Sequence, residues 1–528
     1  MADRPGGAHL DGSPNPPTLG DILRIRGEVS APRTAMAFEG RETCYAEMLA
    51  DAFRVGHALQ AFRLSSGDRI GVLAKNSDDF FTLLVGAAMV GVVLVPVNWR
   101  LSPAEIEYIL HDAGIRLLFA DAEFEELAGA AMATMPDAPE LLGMDGDRLR
   151  RWFAPYPATD PSVSVSAHDV ALQLYTSGTT GHPKGVLLSH HNLNSVRVSQ
   201  PAEERWAQWV EDDVCLISMP LFHVGGIGTA LSSLYSGARM IIVREFTPAA
   251  LFDFVERDGI TRLFIVPTAM RLLLDHPRMA ATDFSRLRYI IYGSSPITPD
   301  LLEAAMAAFG CPFIQVYGMT ETSGTIAALP AEDHGAAAGA RRRSAGRALH
   351  GVDIAIIDEQ GAHLAPGIVG EIAIRSEANM IGYWRLEEAT AEAFTADGYL
   401  RSGDAGYIDS DGYLYVQDRI KDMIITGGEN VYATEVEAVL TAHPDIHEAA
   451  VIGVPDPQWG EAVKAVAVTV AERSVDANDL RAWARERLAA YKVPKSIDFV
   501  DELPKNASGK VLRKTLRAPY WADRDRAI

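Results

Sequence analysis

Apolar positions along the chain follow two spacings in alternation. Short β-branched runs give way to stretches in which apolar residues recur every three to four positions, and this order predicts a mainly parallel α/β sheet. Helix starts are legible from their caps. Ser102-Pro103-Ala104-Glu105 has the form of a capping box with proline at the first helical position, and Ile106, Ile109 and Leu110 follow on one face before Gly114. Thr434 and Glu437 repeat that spacing ahead of Val436, Val439 and Leu440, with Pro444 beyond, and predict a second capping box. From Phe80 to Trp99 there is no charge, a length that could span a bilayer. Gly91 and Pro96 interrupt it, so it reads as a buried helix turning into a buried strand.

Between about 351 and 418 the texture changes to short strands separated by glycine turns. DIAIIDEQGAHL, GEIAIRS and DGYLYVQD are its pieces, and they predict a small β-barrel. Asp409-Ser410-Asp411-Gly412 reads as a hairpin. The last hundred or so residues form a separate α/β pattern, with AAVIGVPD and AVKAVAVTV as strands and a helix around Leu480–Leu488. Ala331–Arg347 is expected to be an exposed loop, and residues 1–17 a flexible leader with no secretory pattern.

Composition narrows the function classes. The 528 residues are 48 % hydrophobic, as in an ordinary globular protein, and their length allows several domains. A net charge of −22 argues against general nucleic-acid binding, which needs clustered Lys and Arg. Cys44, Cys215 and Cys311 are far apart, which fits a reducing, cytoplasmic compartment and gives neither a disulfide framework nor a zinc site.

The densest chemistry lies in YTSGTTGHPKGV, Tyr175–Val186, directly after the apolar run Val170–Leu174. Its glycines allow close backbone approach, and its hydroxyls and N–H groups suit an anion. Lys184 adds a mobile cation, so the fitting guest is a polyphosphate. It is not a Walker A loop, because no Gly-Lys pair in it precedes Ser or Thr.

This block resembles the signature of the adenylate-forming superfamily, which includes acyl-CoA synthetases, peptide-synthetase adenylation domains and firefly luciferase. QVYGMTET (Gln315–Thr322), RSGDAG (Arg401–Gly406), DRIKDMIITGGEN (Asp418–Asn430) and LPKNASGK (Leu503–Lys510) follow in the family's order. The resemblance implies a large N-terminal domain over 18–420, of two α/β subdomains plus the barrel. A small mobile α+β C-terminal domain over 421–528 would turn about a hinge at Lys421.

It also implies a two-step reaction. A carboxylate attacks the α-phosphate of ATP to give acyl-AMP and pyrophosphate, and the thiol of CoA then displaces AMP. Lys510 matches the catalytic lysine of the first step, with Thr320 at the α-phosphate. Glu321 and Ser177 match the contacts of a Mg2+ ion on ATP. Thr176, Ser177, Gly178, Thr179, Thr180, Gly181 and Lys184 would cradle phosphate. Gly293, Ser294 and Ser295 would border the adenine with Gln315, Tyr317 and Gly318, although YGSSP departs from the GGA-type sequence of many relatives. Asp404 and Arg419 match ribose contacts. Lys421, Gly427 and Gly428 would serve the hinge and the pantetheine path.

In PLFHVGG, His223 stands where recognition of an amino acid would need an acidic residue, so peptide-synthetase membership is not expected. With Gly225, Gly226 and Ile227 it matches a small apolar wall of the acid pocket. Ile227 replaces the tryptophan gate of some long-chain ligases. Medium- or long-chain fatty acids lead, with bulky aryl or steroid-side-chain acids next. The alternative is a stand-alone enzyme that loads a carrier protein. A homodimer and a lysine acetyltransferase acting on Lys510 are the protein partners considered, and no transmembrane segment is expected.

Overall fold

The computed structural model describes residues 17–145, 147–176, 183–295, 297–419, 422–426, 429–505 and 509–521. The chain divides into two compact units. The first comprises Met1–Arg342, Gly346–Asp353 and Arg375–Leu400, and the second Arg343–Ala345, Ile354–Ile374 and Arg401–Ile528.

Two sheets build the first unit. The nine-stranded sheet runs, edge to edge, Arg347–Ala348, Gly324–Leu329, Phe313–Met319, Tyr289–Gly293, Arg262–Ile265, Val214–Ile217, Arg239–Ile242, Thr34–Phe38 and Arg41–Cys44. Its six strands from Phe313–Met319 to Thr34–Phe38 pair in parallel, and antiparallel strands close both edges. The seven-stranded sheet runs Gly382–Tyr383, Lys184–Ser189, Val170–Thr176, Val93–Pro96, Arg69–Leu73, Ile115–Ala120 and Glu140–Gly143. It too is parallel until Val170–Thr176 meets Lys184–Ser189 antiparallel. In both sheets the parallel run ends at a sequence block singled out above. Strands buried on both faces by helices explain the continuous apolar runs.

The charge-free stretch folds as expected, with helix Asp78–Ala88 followed by strand Val93–Pro96, all buried. Among the described residues no helix is long and apolar enough to cross a membrane. The first capping box is present: Ser102 N donates to Glu105 Oε2 at 2.8 Å, and Gly114 ends the helix in the left-handed region at φ 64°.

The second capping box does not form. The helix is Ala433–Thr441 and begins after Tyr432. Thr434 Oγ1 instead donates to the Gln417 carbonyl, and Glu437 accepts from Val451 N at 2.7 Å. Tertiary partners have claimed both side chains.

Ala331–Arg347 is also not a plain exposed loop. It forms a 3-10 turn at Ala331–Asp333 and 3-10 turns over Ala336–Arg343 that break at Gly339 (φ 60°), and Asp333, His334 and Ser344 are buried. Gly346 follows at φ 84°, where a Cβ would lie 1.8 Å from the Ala328 carbonyl oxygen, so the chain presses onto the neighbouring strand.

The second unit holds a curled half-barrel sheet where a barrel is expected, in the order Val352–Ile357, Gly370–Ser376, Leu400–Ile408 and Leu414–Arg419. The Asp409–Gly412 hairpin closes as expected, with Gly412 N donating to the Asp409 carbonyl at 3.1 Å. A second sheet carries Glu429–Val431, Ile424–Thr426, Gly460–Thr469 and Ile446–Asp456, with Ser496–Phe499 parallel to Gly460–Thr469. Helices Ala433–Thr441 and Ala477–Arg485 cover it around a core that includes Val436, Leu440, Val451 and Leu480.

Candidate active site

In the first unit the site grows from the turn after strand Phe313–Met319. Thr320–Thr322 is a single 3-10 turn. Thr322 Oγ1 accepts from Met319 N at 3.1 Å and donates to the Gly324 carbonyl at 2.7 Å. Ser323 takes the left-handed region at φ 54° and donates to the Ala378 carbonyl at 2.8 Å. This bracing presents Thr320 and Glu321 at fixed positions. A Cβ at Gly318 would lie 1.8 Å from the Gly324 carbonyl oxygen, so its glycine is required by strand-to-strand packing.

Glu321 is 8 % exposed, and its Oε1 accepts from Tyr383 Oη at 3.1 Å. Tyr383 is in turn fixed by pairing with Val186 across the sheet edge. Its neighbours Met380, Ile381 and Trp384 donate backbone N–H groups to the carbonyls of Glu321, Leu187 and Gly185 at 2.7–3.0 Å. Lys184 Nζ lies 4.8 Å from the Tyr383 ring centroid, in cation–π range. One edge segment thus joins the lysine of the first block to the carboxylate of the second. Thr176 stands opposite Lys184 in the antiparallel pair.

The Tyr289–Gly293 strand delivers the YGSS segment. Gly293 is pressed against its neighbour, since a Cβ would meet the Val316 carbonyl oxygen at 2.4 Å. Ser294 follows in the left-handed region at φ 69°, a conformation in which a non-glycine residue stores strain, and it is exposed. Tyr292 Oη lies 3.2 Å from the Gln315 side-chain amide and 3.1 Å from His334 Nε2. His334 Nδ1 donates to the Pro330 carbonyl at 2.9 Å, and burial holds its pKa below the usual histidine range. This neutral chain fixes the Gln315 side chain from below.

His223 caps helix Val224–Ser236. Its ring packs on Phe222 at 4.7 Å, and its Nε2 is buried with no partner. Burial, reinforced by the charge of Arg100, lowers its pKa to about 4, so it is neutral at pH 7. Of the glycines after it, Gly226 is needed for packing, with a Cβ 2.6 Å from the Pro220 carbonyl oxygen. Gly225 meets only the Phe264 ring at 3.6 Å, ordinary van der Waals contact. Ile227 is fully buried.

The second unit carries three more of the expected residues. Asp404, 8 % exposed, stands opposite Arg419 in the pair Leu400–Ile408 and Leu414–Arg419. Its turn is pinned by Glu371, which accepts from Gly403 N at 3.0 Å and from Arg401 Nη1 at 2.7 Å. Lys510 is exposed, after Gly509 at φ 77°. The loop bearing it closes through a Lys505–Val511 bridge and a 2.8 Å bond from Leu512 N to the Pro504 carbonyl. Three residues on, Arg513 donates to both oxygens of Glu437 at 2.7–2.9 Å. Arg513 Nη1 also lies 3.7 Å from Asp422 and 3.9 Å from Asp418.

Residues 24–384 match the family model of the AMP-binding enzymes, and 435–510 that of their C-terminal domain. The chain belongs to the AMP-binding, adenylate-forming enzymes. It is 40 % identical to a fatty acid–[acyl-carrier-protein] ligase of Streptomyces coeruleorubidus, over 97 % of this chain and 98 % of that protein. A feruloyl-CoA synthase of Amycolatopsis is 37 % identical over 95 % and 99 %. The crystal structure of ATP-bound MatB from Rhodopseudomonas palustris superposes with TM-score 0.87 at 33 % identity, covering 96 % and 99 %. These similarities place the chain in the acyl-CoA synthetase branch, whose members are AMP-forming acid–thiol ligases using ATP.

For an adenylate-forming enzyme, the metal question turns on Glu321. Among the described residues no group of three or more His, Cys, Asp or Glu side chains could hold a metal by itself. A lone buried carboxylate suits an ion that arrives on a polyphosphate and takes most of its oxygens from it. The site therefore fits magnesium carried by ATP, which would neutralise charge on the β- and γ-phosphates.

Ser177, Gly178, Thr179, Thr180, Gly181, Lys421, Gly427 and Gly428 lie outside the described residues. Sequence reasoning missed Tyr383, Glu371 and the Arg513–Glu437 pair. Tyr383 carries no motif signal, and the spacing of Glu437 predicts a cap.

Proposed function

We propose that this enzyme activates a fatty or bulky aryl acid as its acyl-adenylate and passes the acyl group to CoA. The observation that carries the reading is the Glu321–Tyr383–Lys184 arrangement, a buried carboxylate and a lysine joined by one tyrosine at the edge where two sequence blocks meet.

The acid is already ionised at neutral pH, so the first step needs alignment and charge neutralisation rather than a base. Its carboxylate oxygen attacks the α-phosphorus and pyrophosphate leaves. Thr320 and Lys510 would face the α-phosphate, Lys510 in this step only. Asp404 would accept from the ribose hydroxyls. In the second step a thiolate attacks the acyl carbonyl carbon and AMP departs. His223, neutral at pH 7, would act as a wall of the acid pocket rather than as its cation. The open side of Gly225 supports space for a bulky chain.

The fatty acid–[acyl-carrier-protein] ligase among the relatives favours a second reading, in which the acceptor is a carrier protein's phosphopantetheine. Pyrophosphate release with ATP and magnesium, over fatty and aryl acids with and without CoA, separates the two. CoA-dependent turnover is expected. A single burst that CoA fails to convert into turnover, while a pantetheinylated carrier protein does, contradicts the CoA assignment.

A further inference from the structure

Beneath the Thr176–Lys184 pair, one step down the same hairpin, Tyr175 stands opposite Gly185. The Tyr175 ring leaves the hairpin for helix Pro103–Ala113, where its Oη donates to Asp112 Oδ2 at 2.5 Å. Gln173, fully buried, donates from Nε2 to the same Oη at 3.0 Å and accepts from Arg69 Nε at 3.3 Å. The Asp112 carbonyl lies in the last turn of its helix, beyond the reach of intrahelical donors. Trp384 satisfies it: its Nε1 donates there at 2.8 Å, and its backbone N donates to the Gly185 carbonyl at 2.8 Å. The Arg69 guanidinium lies 3.4 Å from the Trp384 ring centroid, a cation–π stack.

These bonds form a closed clasp, from Tyr175 to Asp112 to Trp384 to Gly185 and back to Tyr175 across the hairpin. Its inner face has no room to spare. A Cβ at Gly185 would meet Gln173 Nε2 at 2.5 Å and Tyr175 Cζ at 3.2 Å. Trp384 directly follows Tyr383, whose hydroxyl bonds Glu321. The clasp therefore ties the stem below Thr176 and Lys184 to the segment that grips Glu321. A hairpin by itself fixes only its own two strands. Fixing two ligand-holding groups relative to each other before the ligand arrives removes an ordering cost from binding.

We infer that Tyr175, Asp112 and Trp384 are positioning residues for ATP, acting through the Thr176–Lys184 pair and Glu321. This rests on the reading of Tyr175–Val186 as the phosphate holder and of Glu321 as the carboxylate facing the magnesium of ATP. A preset spacing favours bound ATP in the ground and the transition state alike. Its loss is therefore read in ATP affinity, while kcat at saturating ATP holds.

The test is calorimetric titration of the full-length enzyme with ATP and magnesium, alongside pyrophosphate release at saturating ATP with the fastest acid of the panel above. Tyr175→Phe and Asp112→Ala should each raise the Kd for ATP by about five- to tenfold, the worth of one net hydrogen bond, and leave kcat within about twofold. Combined, they should cost no more than either alone, because both break the same bond. Asp112→Asn, whose amide oxygen still accepts from Tyr175, should restore ATP binding to near wild type. Trp384→Phe, which opens the clasp at its other corner, should weaken ATP binding to a similar degree. ATP binding unchanged in Tyr175→Phe and Trp384→Phe overturns the inference. So do additive losses in the double variant, or an Asp112→Asn enzyme as weak as Asp112→Ala. Lys184→Ala tests the underlying reading separately. If it binds ATP as the wild type does, the phosphate assignment fails; if it binds weakly while the clasp variants bind normally, only the clasp fails.

Discussion

Glu321 in the first unit and Lys510 in the second stand on very different supports. Glu321 follows a strand of the nine-stranded sheet, its turn is braced by Thr322 and Ser323, and Tyr383 bonds its carboxylate from an edge strand of the other sheet. Lys510 is exposed on a loop closed by the Lys505–Val511 bridge and the Leu512–Pro504 backbone bond, with the Arg513–Glu437 pair at its far side. The first support is backbone bonding distributed over two sheets, and the second is a short local closure beside a buried ion pair. Under the proposed reaction, a group that holds ATP throughout turnover would gain from the first arrangement, and a group required in one half-reaction would tolerate the second.

The contrast can be broken most severely at the ion pair. Arg513→Leu leaves Glu437 buried without its cation, which typically costs about 3–5 kcal/mol. The second unit should then unfold at markedly lower denaturant while the first keeps its own transition, as followed by proteolysis of each unit. Lys510→Ala should leave both transitions in place and slow pyrophosphate release by at least about 100-fold, roughly 3–4 kcal/mol of transition-state stabilisation.

A third change sharpens the picture of the first unit alone. Asp79 is 2 % exposed, and burial, with Asp78 beside it, raises its pKa from 3.8 to about 7. The native state therefore keeps a proton that the unfolded chain has released. The resulting stability is complete below about pH 4 and lost as the pH rises through about 7. Asp79→Asn should flatten that decline and stabilise the first unit at pH 8 by roughly 2–4 kcal/mol, measured as denaturation midpoints across pH. The smallest effect belongs to Tyr383→Phe, which removes one hydrogen bond to Glu321. A loss of about 1–1.5 kcal/mol, near tenfold in adenylation with little change in folding stability, is expected.

How much of this was legible in the sequence depended on whether a residue acts locally. The Ser102–Glu105 box, the helix-to-strand turn within Phe80–Trp99 and the Asp409–Gly412 hairpin are set by neighbours within a few positions, and they fold as read. Thr434 and Glu437 have the spacing of a cap, yet partners at Gln417, Val451 and Arg513 outweigh it. Ala331–Arg347 looks like a loop because its composition is polar and small, while His334 is drawn inside by Tyr292. At the candidate site, motif blocks give the residues expected to face a ligand. Tyr383 and Glu371 bond to those blocks from outside them, on distant strands. Packing alone reveals such side chains.

In the proposed division of labour Lys510 serves acyl-adenylate formation and is dispensable afterwards. The most direct measurement supplies preformed acyl-AMP and CoA to Lys510→Ala and follows thioester formation in a single turnover. A rate within about threefold of wild type is expected, because the contact removed stabilises charge only in the adenylation transition state. A loss as large as that in pyrophosphate release would contradict it, and would place the lysine in both half-reactions.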